Sequence, residues 1–239
     1  MHSMEQQIFS GEIFEKVRSS SLLKDKSLLA NGTFSLVFEG STPASIYHLA
    51  LDNAGHDFSM KAKRYSIDGV RKIFRDFGAI AIYQHDPFYP DYLWLAELEV
   101  LNPLVSSPAA HHEVQDVLRC LTGRPEGKIY STFTGKCELL SNLNRTPIYA
   151  RTARCVQALR KLMLKYVTSS SCDFDLRIEN FMIRPYTGEV VLNGPINWIC
   201  DVEPEHHLRL SQVDVFIEGD TTFRSSAQIL HFDRVRMGR

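Results

Sequence analysis

Asp173-Phe174-Asp175-Leu176-Arg177-Ile178-Glu179-Asn180-Phe181-Met182-Ile183 is the stretch on which the fold turns. It sets a carboxylate, Asp175, four residues and then an amide, Asn180, directly before an apolar run. Upstream, Pro147–Val167 carries an apolar stripe of Val156, Leu159, Leu162, Met163 and Tyr166, with Arg and Lys elsewhere. That pattern predicts a helix buried along one side. Thr168-Ser169-Ser170-Ser171 breaks it. Downstream, Phe181-Met182-Ile183, a Tyr186-Thr187-Gly188-Glu189 turn and Val190-Val191-Leu192 predict a compact hairpin. A loop between a buried helix and a hairpin keeps the Asp175 and Asn180 side chains on one rim. The same spacing also suits a plain helix-ending loop in which the two side chains cap backbone groups.

Working outward, Glu5–Lys24 has the spacing of a short amphipathic helix, through Ile8, Ile13, Phe14 and Val17. Asn31-Gly32-Thr33 lies between Ser27-Leu28-Leu29 and Phe34–Phe38, and Asn-Gly between β-rich runs predicts a hairpin. Ile46–Leu51 reads as a third strand, Asp57–Tyr65 as a helix, and Ala79–Tyr83 and Tyr92–Leu101 as two further strands. Ser107–Leu121 reads as a helix with Ser and Pro at its start. From Val213 the tail resembles two strands and an Arg-rich end. The order predicts an α+β chain. Residues 1–24 form an N-terminal helical extension, 25–101 a β-rich part, 102–205 a mainly helical part and 206–239 a β-type tail, with the connector near Glu97–Pro103.

The chain has 239 residues, 44% apolar and 23% charged, with a formal net charge of −1. Such a composition belongs to a folded domain able to bury a core. So small a net charge supplies no protein-wide field, so neither nucleic acid nor a membrane is expected as a partner. Cys120, Cys137, Cys155, Cys172 and Cys200 are scattered, odd in number and never paired as CxxC. That argues against a zinc site or a disulfide framework and suits a reducing cytoplasm. No apolar run is long enough to span a bilayer. Met1–Phe9 lacks a basic region followed by an apolar stretch, so no signal peptide is expected. His111-His112 and His206-His207 read as surface residues, since adjacent helical side chains diverge. Arg224, Arg234, Arg236 and Arg239 read as a solvated basic terminus.

The Asp175-to-Asn180 segment resembles the catalytic loop of protein kinases, in which Asp, four residues and Asn precede an apolar strand. There a carboxylate orients the attacking hydroxyl, and an amide oxygen close by holds a metal ion between the phosphates. Leu29–Val37 resembles the phosphate-covering loop GxGxFGxV, with Ala30 in place of the first glycine and Ser35 in place of the third. Leu98-Glu99-Val100-Leu101 falls where kinases join their lobes and hold adenine through backbone groups. Together with Gly188, the strand after it and Gly194-Pro195-Ile196, these pieces resemble the early serine/threonine protein kinase of T7-like bacteriophages. The resemblance runs over roughly residues 25 to 200.

It implies a bilobal protein-kinase-like fold with a β-rich N-lobe and a mainly helical C-lobe. It implies ATP and Mg²⁺ as cofactors and host proteins, phosphorylated on serine and threonine in the host cell cytoplasm early in infection, as substrates. Host takeover, transcription shutoff or countering of host defence is the implied outcome. Asp175 and Asn180 are the implied catalytic residues. Asn31, Gly32, Thr33, Phe34, Ser35, Val37, His48, Glu99 and Leu101 are implied at ATP, and Asn180, Asn193 and Asp201 at the metal.

Three departures bear on these roles. Family members carry Asp-Pro-Val/Ile where this chain has Gly194-Pro195-Ile196, which leaves Asn193 or Asp201 to serve the metal. His48 occupies the strand-three lysine slot, with Lys61 and Lys63 on the next helix. That helix offers Asp57 and no glutamate to pair with a lysine. The alternative is therefore a pseudokinase that binds and inhibits a host protein. A small-molecule phosphotransferase ranks last, because Cys172-Asp173-Phe174 stands where that family has His-Gly-Asp.

Overall fold

The computed structural model describes residues 9–86, 89–169 and 172–197. Cys200, Asp201, His206-His207 and the expected tail strands lie outside them. The chain is α+β, and its described residues divide into two compact units. One is built from the residues up to Leu51 together with Phe74–Leu98, the other from Asp52–Ile73 and the residues from Glu99 onward. Among the described residues no helix is long and apolar enough to cross a membrane.

The first unit begins with helix α1 (Gly11–Arg18), shorter than the sequence spacing allows. Strands β1 (Leu28–Asn31) and β2 (Ser35–Glu39) pair as the expected antiparallel hairpin, and β3 (Ser45–Ala50) follows. Helix α2 (Ala54–Arg64) belongs to the second unit. Strands β4 (Ile73–Asp86) and β5 (Tyr89–Glu99) are longer than expected, and they complete a sheet of order β1-β2-β3-β5-β4. Strand alternation sends Leu36, Phe38, Tyr47 and Leu49 inward, where they pack with Phe77, Ile80, Leu93 and Leu95 and with Val17 and Leu23 beside α1. Glu97 is buried among them, and Ser41 and Ser45 donate their hydroxyls to its Oε1. Burial works to raise its pKa, but those hydrogen bonds outweigh it and hold the carboxyl low.

The second unit continues through the two-residue strand β6 (Asn102–Pro103) into α3 (Pro108–Thr122). Ser107 caps that helix through Oγ, Pro108 opens it, and Gly123 closes it in the left-handed region at φ 77°. Strand β7 (Gly127–Tyr130) and helix α4 (Phe133–Leu143) come next. Neither was expected, although Thr132 accepting from the Gly135 N–H is an ordinary helix start.

Helix α5 (Ala153–Leu162) and a 3₁₀ turn at Met163–Lys165 replace the single helix expected over Pro147–Val167. The Arg151 carbonyl accepts the Val190 N–H, which takes it out of any helical ladder. The expected stripe holds nonetheless: Val156, Leu159, Leu162, Met163 and Tyr166 are all buried in one cluster with α3, α4 and α2 side chains.

The remaining strands are β8 (Asp173–Arg177), β9 (Phe181–Ile183), β10 (Val190–Leu192) and β11 (Ile196–Asn197). β9 and β10 form the predicted hairpin, with Gly188 at φ 69° in its turn, and β6 joins its open side. β8 lies between β7 and β11, so the Asp175 segment is a strand where a loop was expected. Lys136 on α4 helps fix the start of β8. Its side chain is 1% exposed and donates from Nζ to the carbonyls of Ser169 and Cys172.

Candidate functional site

Asp175 sits in the middle of β8, opposite Ile129 of β7, with its N–H donated to the Pro195 carbonyl at 2.9 Å. Being central in a three-stranded sheet buries it, to 2% exposure. Side chains two residues apart share a strand face, and Arg177 folds back on Asp175 from that position. Its Nε donates to Oδ1 at 2.8 Å and its Nη2 to Oδ2 at 2.7 Å. The Arg177 N–H adds a bond to Oδ1 at 3.3 Å, and Asn197 Nδ2 donates to Oδ2 at 2.9 Å. Burial works to raise the Asp175 pKa, but the Arg177 and Asn197 hydrogen bonds and the Arg177 charge outweigh it and hold the carboxyl below its usual range.

Asn180 ends a 3₁₀ turn at Ile178–Asn180 directly after β8. Its Nδ2 donates to the Asp175 carbonyl at 3.0 Å. With the nitrogen tied down, the amide oxygen is the end left to meet a cation or donor. The Asn193 N–H donates to the Asn180 carbonyl at 2.8 Å, so these two asparagines are adjacent in space although distant in sequence. The Asn193 Oδ1 is buried without a hydrogen-bond partner among the described residues. Gly194 follows at φ 102°, a conformation that favours glycine.

Asp175, Asn180 and Asn193 are thus brought to one corner of the second unit. As a magnesium site the described residues of this corner fall short. They offer two neutral amide oxygens, while the one carboxylate is fully engaged, and magnesium takes carboxylates by preference. Among the described residues no group of three or more His, Cys, Asp or Glu side chains could hold a metal ion. Asp201 lies outside the described residues.

The residues assigned to ATP distribute as follows. Asn31 ends β1 opposite Leu36, and the Gly32 N–H donates to the Ser35 carbonyl at 2.8 Å, so residues 31–35 form a tight turn. Thr33 and Phe34 lie in it, and the Phe34 carbonyl accepts the Leu51 N–H. Val37 and His48 are direct cross-strand partners, on the sheet face opposite Phe38, Tyr47 and Leu49. Glu99 is engaged elsewhere. Its carboxylate takes two bonds from Arg184, at 2.9 and 3.1 Å, and one from the Lys72 N–H at 2.8 Å. Its own N–H goes to the Lys72 carbonyl. Leu101 stands half-buried between β5 and β6.

Lys61 and Lys63, considered as replacements for a strand-three lysine, also have local partners. Lys61 Nζ pairs with Asp57 at 2.7 Å and lies over the Tyr166 ring, and Tyr166 donates to the same carboxylate. Lys63 donates to the Ile73 carbonyl.

Arg177 and Asn197 are the site residues that sequence reasoning missed. Arg177 was signalled by the two-residue spacing once Asp175 is placed on a strand. Asn197 carries no such signal, because its approach depends on β11 pairing with β8. Compared with protein-family models and with curated proteins, the chain matches none of them.

Proposed function

We propose that this chain is an ATP-dependent serine/threonine protein kinase with a bilobal kinase-type fold, similar to the early kinases of T7-like bacteriophages, acting on host proteins in the host cell cytoplasm. One observation carries the proposal. Asn180 donates to the carbonyl of Asp175, five residues before it, and receives the Asn193 N–H on its own carbonyl, at 3.0 and 2.8 Å. That arrangement fixes a carboxylate and an amide oxygen at one corner, as phosphoryl transfer between hydroxyl and nucleotide requires.

In this reading Asp175 orients the substrate hydroxyl. A carboxyl held low on the pH scale is a weak base, and a loose phosphoryl-transfer transition state asks little of one. The Asn31–Ser35 turn is assigned to the phosphates, and Val37 and His48 to the nucleotide. No step is assigned to magnesium. Incubation with ATP and host proteins tests the proposal by mass spectrometry: new phosphoserine and phosphothreonine are expected, and their absence at every magnesium concentration would overturn it.

A second reading, a pseudokinase that binds and inhibits a host protein, has a specific observation in its favour. The Asp175 carboxylate accepts four hydrogen bonds, three from Arg177 and one from Asn197. A carboxylate has about four lone-pair sites, so a substrate hydroxyl must displace a partner. Arg177, whose side chain is 51% exposed, is the partner free to leave. Arg177→Ala separates the readings: faster transfer supports a kinase in which Arg177 yields, and no transfer in either form supports the pseudokinase.

A further inference from the structure

Arg71 differs from the other buried charges of the second unit. Arg184 and Glu99 satisfy each other, and Lys136 is held by two carbonyls. Arg71 is 9% exposed, and its Nε is buried with no hydrogen-bond partner among the described residues. Among the described residues Glu99 is an opposite charge acting on it, already bonded to Arg184 and to the Lys72 N–H. Burial pulls the Arg71 pKa down to about 10 although Glu99 works against it, as befits a cation held without full compensation.

Its surroundings add to the imbalance. The point where a Cβ on Gly55 would stand lies 4.0 Å from Arg71 Nη2 and 3.5 Å from the Gly194 Cα. Gly55 is the second residue of the eleven-residue helix α2. Backbone N–H groups there have no acceptor within the helix, and the helix dipole presents its positive end. The Asp52 carboxylate takes the Ala54 N–H at 2.8 Å and offsets part of that charge, leaving the Gly55 N–H and the guanidinium to favour a further anion between them. Gly55 and Gly194, which meet at this point, carry no side chains to fill it.

We propose that Arg71, the first turn of α2 and the Asn193-Gly194 bend form a binding site for a phosphate-class oxyanion, either the terminal phosphoryl of a nucleotide or a free phosphate ion. The guanidinium supplies a planar fork of donors, and the helix start supplies backbone N–H groups. The site includes Gly194, which stands where the resemblance expects a metal-bearing carboxylate, with the Asn193 amide beside it. A fixed cation neutralises phosphate charge there without a metal. The site does not require Asp175 to transfer anything, so its test reads binding rather than turnover.

Calorimetric titration of the full chain with inorganic phosphate and, separately, with ATP is the test, in EDTA at constant ionic strength. At least one of the two anions is expected to bind saturably without metal. Gly55→Ala should weaken that binding about ten-fold or more by filling the gap. Its Cβ meets only ordinary contacts, and alanine suits a helix better than glycine, so the Tm should hold or rise. Arg71→Met should abolish the binding while leaving the Tm in chloride unchanged or higher. Loss of both phosphate and ATP binding in the two variants identifies the nucleotide phosphoryl as occupant. Loss of phosphate binding alone identifies the free ion. The proposal is overturned if the native chain binds neither anion in EDTA, or if Gly55→Ala binds as the native chain does.

Discussion

The turn at Asn31–Ser35 and the corner at Asp175–Asn197 carry the two halves of the sequence resemblance, and they are built in opposite ways. In the turn, β1 is exposed at every position, and one backbone bond, Gly32 to Ser35, closes the hairpin. Gly32 does not use a left-handed φ, and an added Cβ would meet the flexible Ser35 hydroxyl at 3.1 Å and the Ser35 carbonyl oxygen at an ordinary 3.5 Å. In the corner, Asp175 is bound through its N–H, its carbonyl and both carboxylate oxygens. Its neighbours in the sheet leave no slack. A resemblance in spacing therefore says little about how firmly a segment is held. The turn uses no left-handed residue and so does not depend on Asn-Gly chemistry, whereas the corner needs its particular side chains.

That contrast is most open to attack at Gly127, opposite Arg177 in the β7–β8 pairing. Gly127 has φ 79°, and a Cβ there would come within 1.8 Å of the Leu176 carbonyl oxygen. Gly127→Ala is expected to lose about 4 kcal/mol or more and to pull β7 off β8, measured by urea denaturation. A loss no larger than that of an exposed-turn glycine would break the comparison.

Next in size is Asp175→Asn. Removing a buried charged acceptor with four donors should lower stability by about 1–3 kcal/mol at pH 7. The pH dependence has a definite sign. The folded Asp175 pKa is depressed, so its contribution is complete above about pH 4, the unfolded value, and fades as pH falls through the folded one. The stability gap between native protein and Asp175→Asn should therefore narrow on acidification. A constant gap from pH 7 to pH 3 would show that the carboxylate charge is not what the corner uses.

Smallest should be Gly32→Ala, with a stability change within about 0.5 kcal/mol. If the turn covers phosphate, the same change raises the KM for ATP while the fold is untouched. A stability loss comparable to that of Asp175→Asn would mean the turn is constrained in a way its contacts do not show.

Much of this architecture was legible in the chain. The α3 start at Ser107-Pro108 and the β9–β10 hairpin follow from local cap and turn chemistry, and the β1–β2 hairpin forms as expected although neither Asn31 nor Gly32 takes the left-handed φ that Asn-Gly favours. The Pro147–Val167 stripe was legible as a buried face, but its helix bounds were not, because Val190 claims the Arg151 carbonyl from far along the chain. Strand β8 was misjudged for the same kind of reason. Asp-Phe-Asp-Leu-Arg does alternate polar and apolar residues, but over only five positions, and pairing on both sides by β7 and β11 is what makes it a strand. In the candidate site, Asp175 and Asn180 were singled out from spacing, and the structure brings Asn193 next to Asn180. The grip of Arg177 and Asn197 on the carboxylate depends on tertiary pairing, which spacing alone does not encode.

The rate of phosphate transfer from ATP to a protein serine or threonine, compared between the native chain and Asp175→Asn, tests the central claim most directly. A fall of about a thousand-fold or more in the variant, with ATP affinity nearly unchanged, is the predicted result. Equal rates in the two proteins would contradict the assignment of Asp175 and, with it, the account of this corner as the seat of phosphoryl transfer.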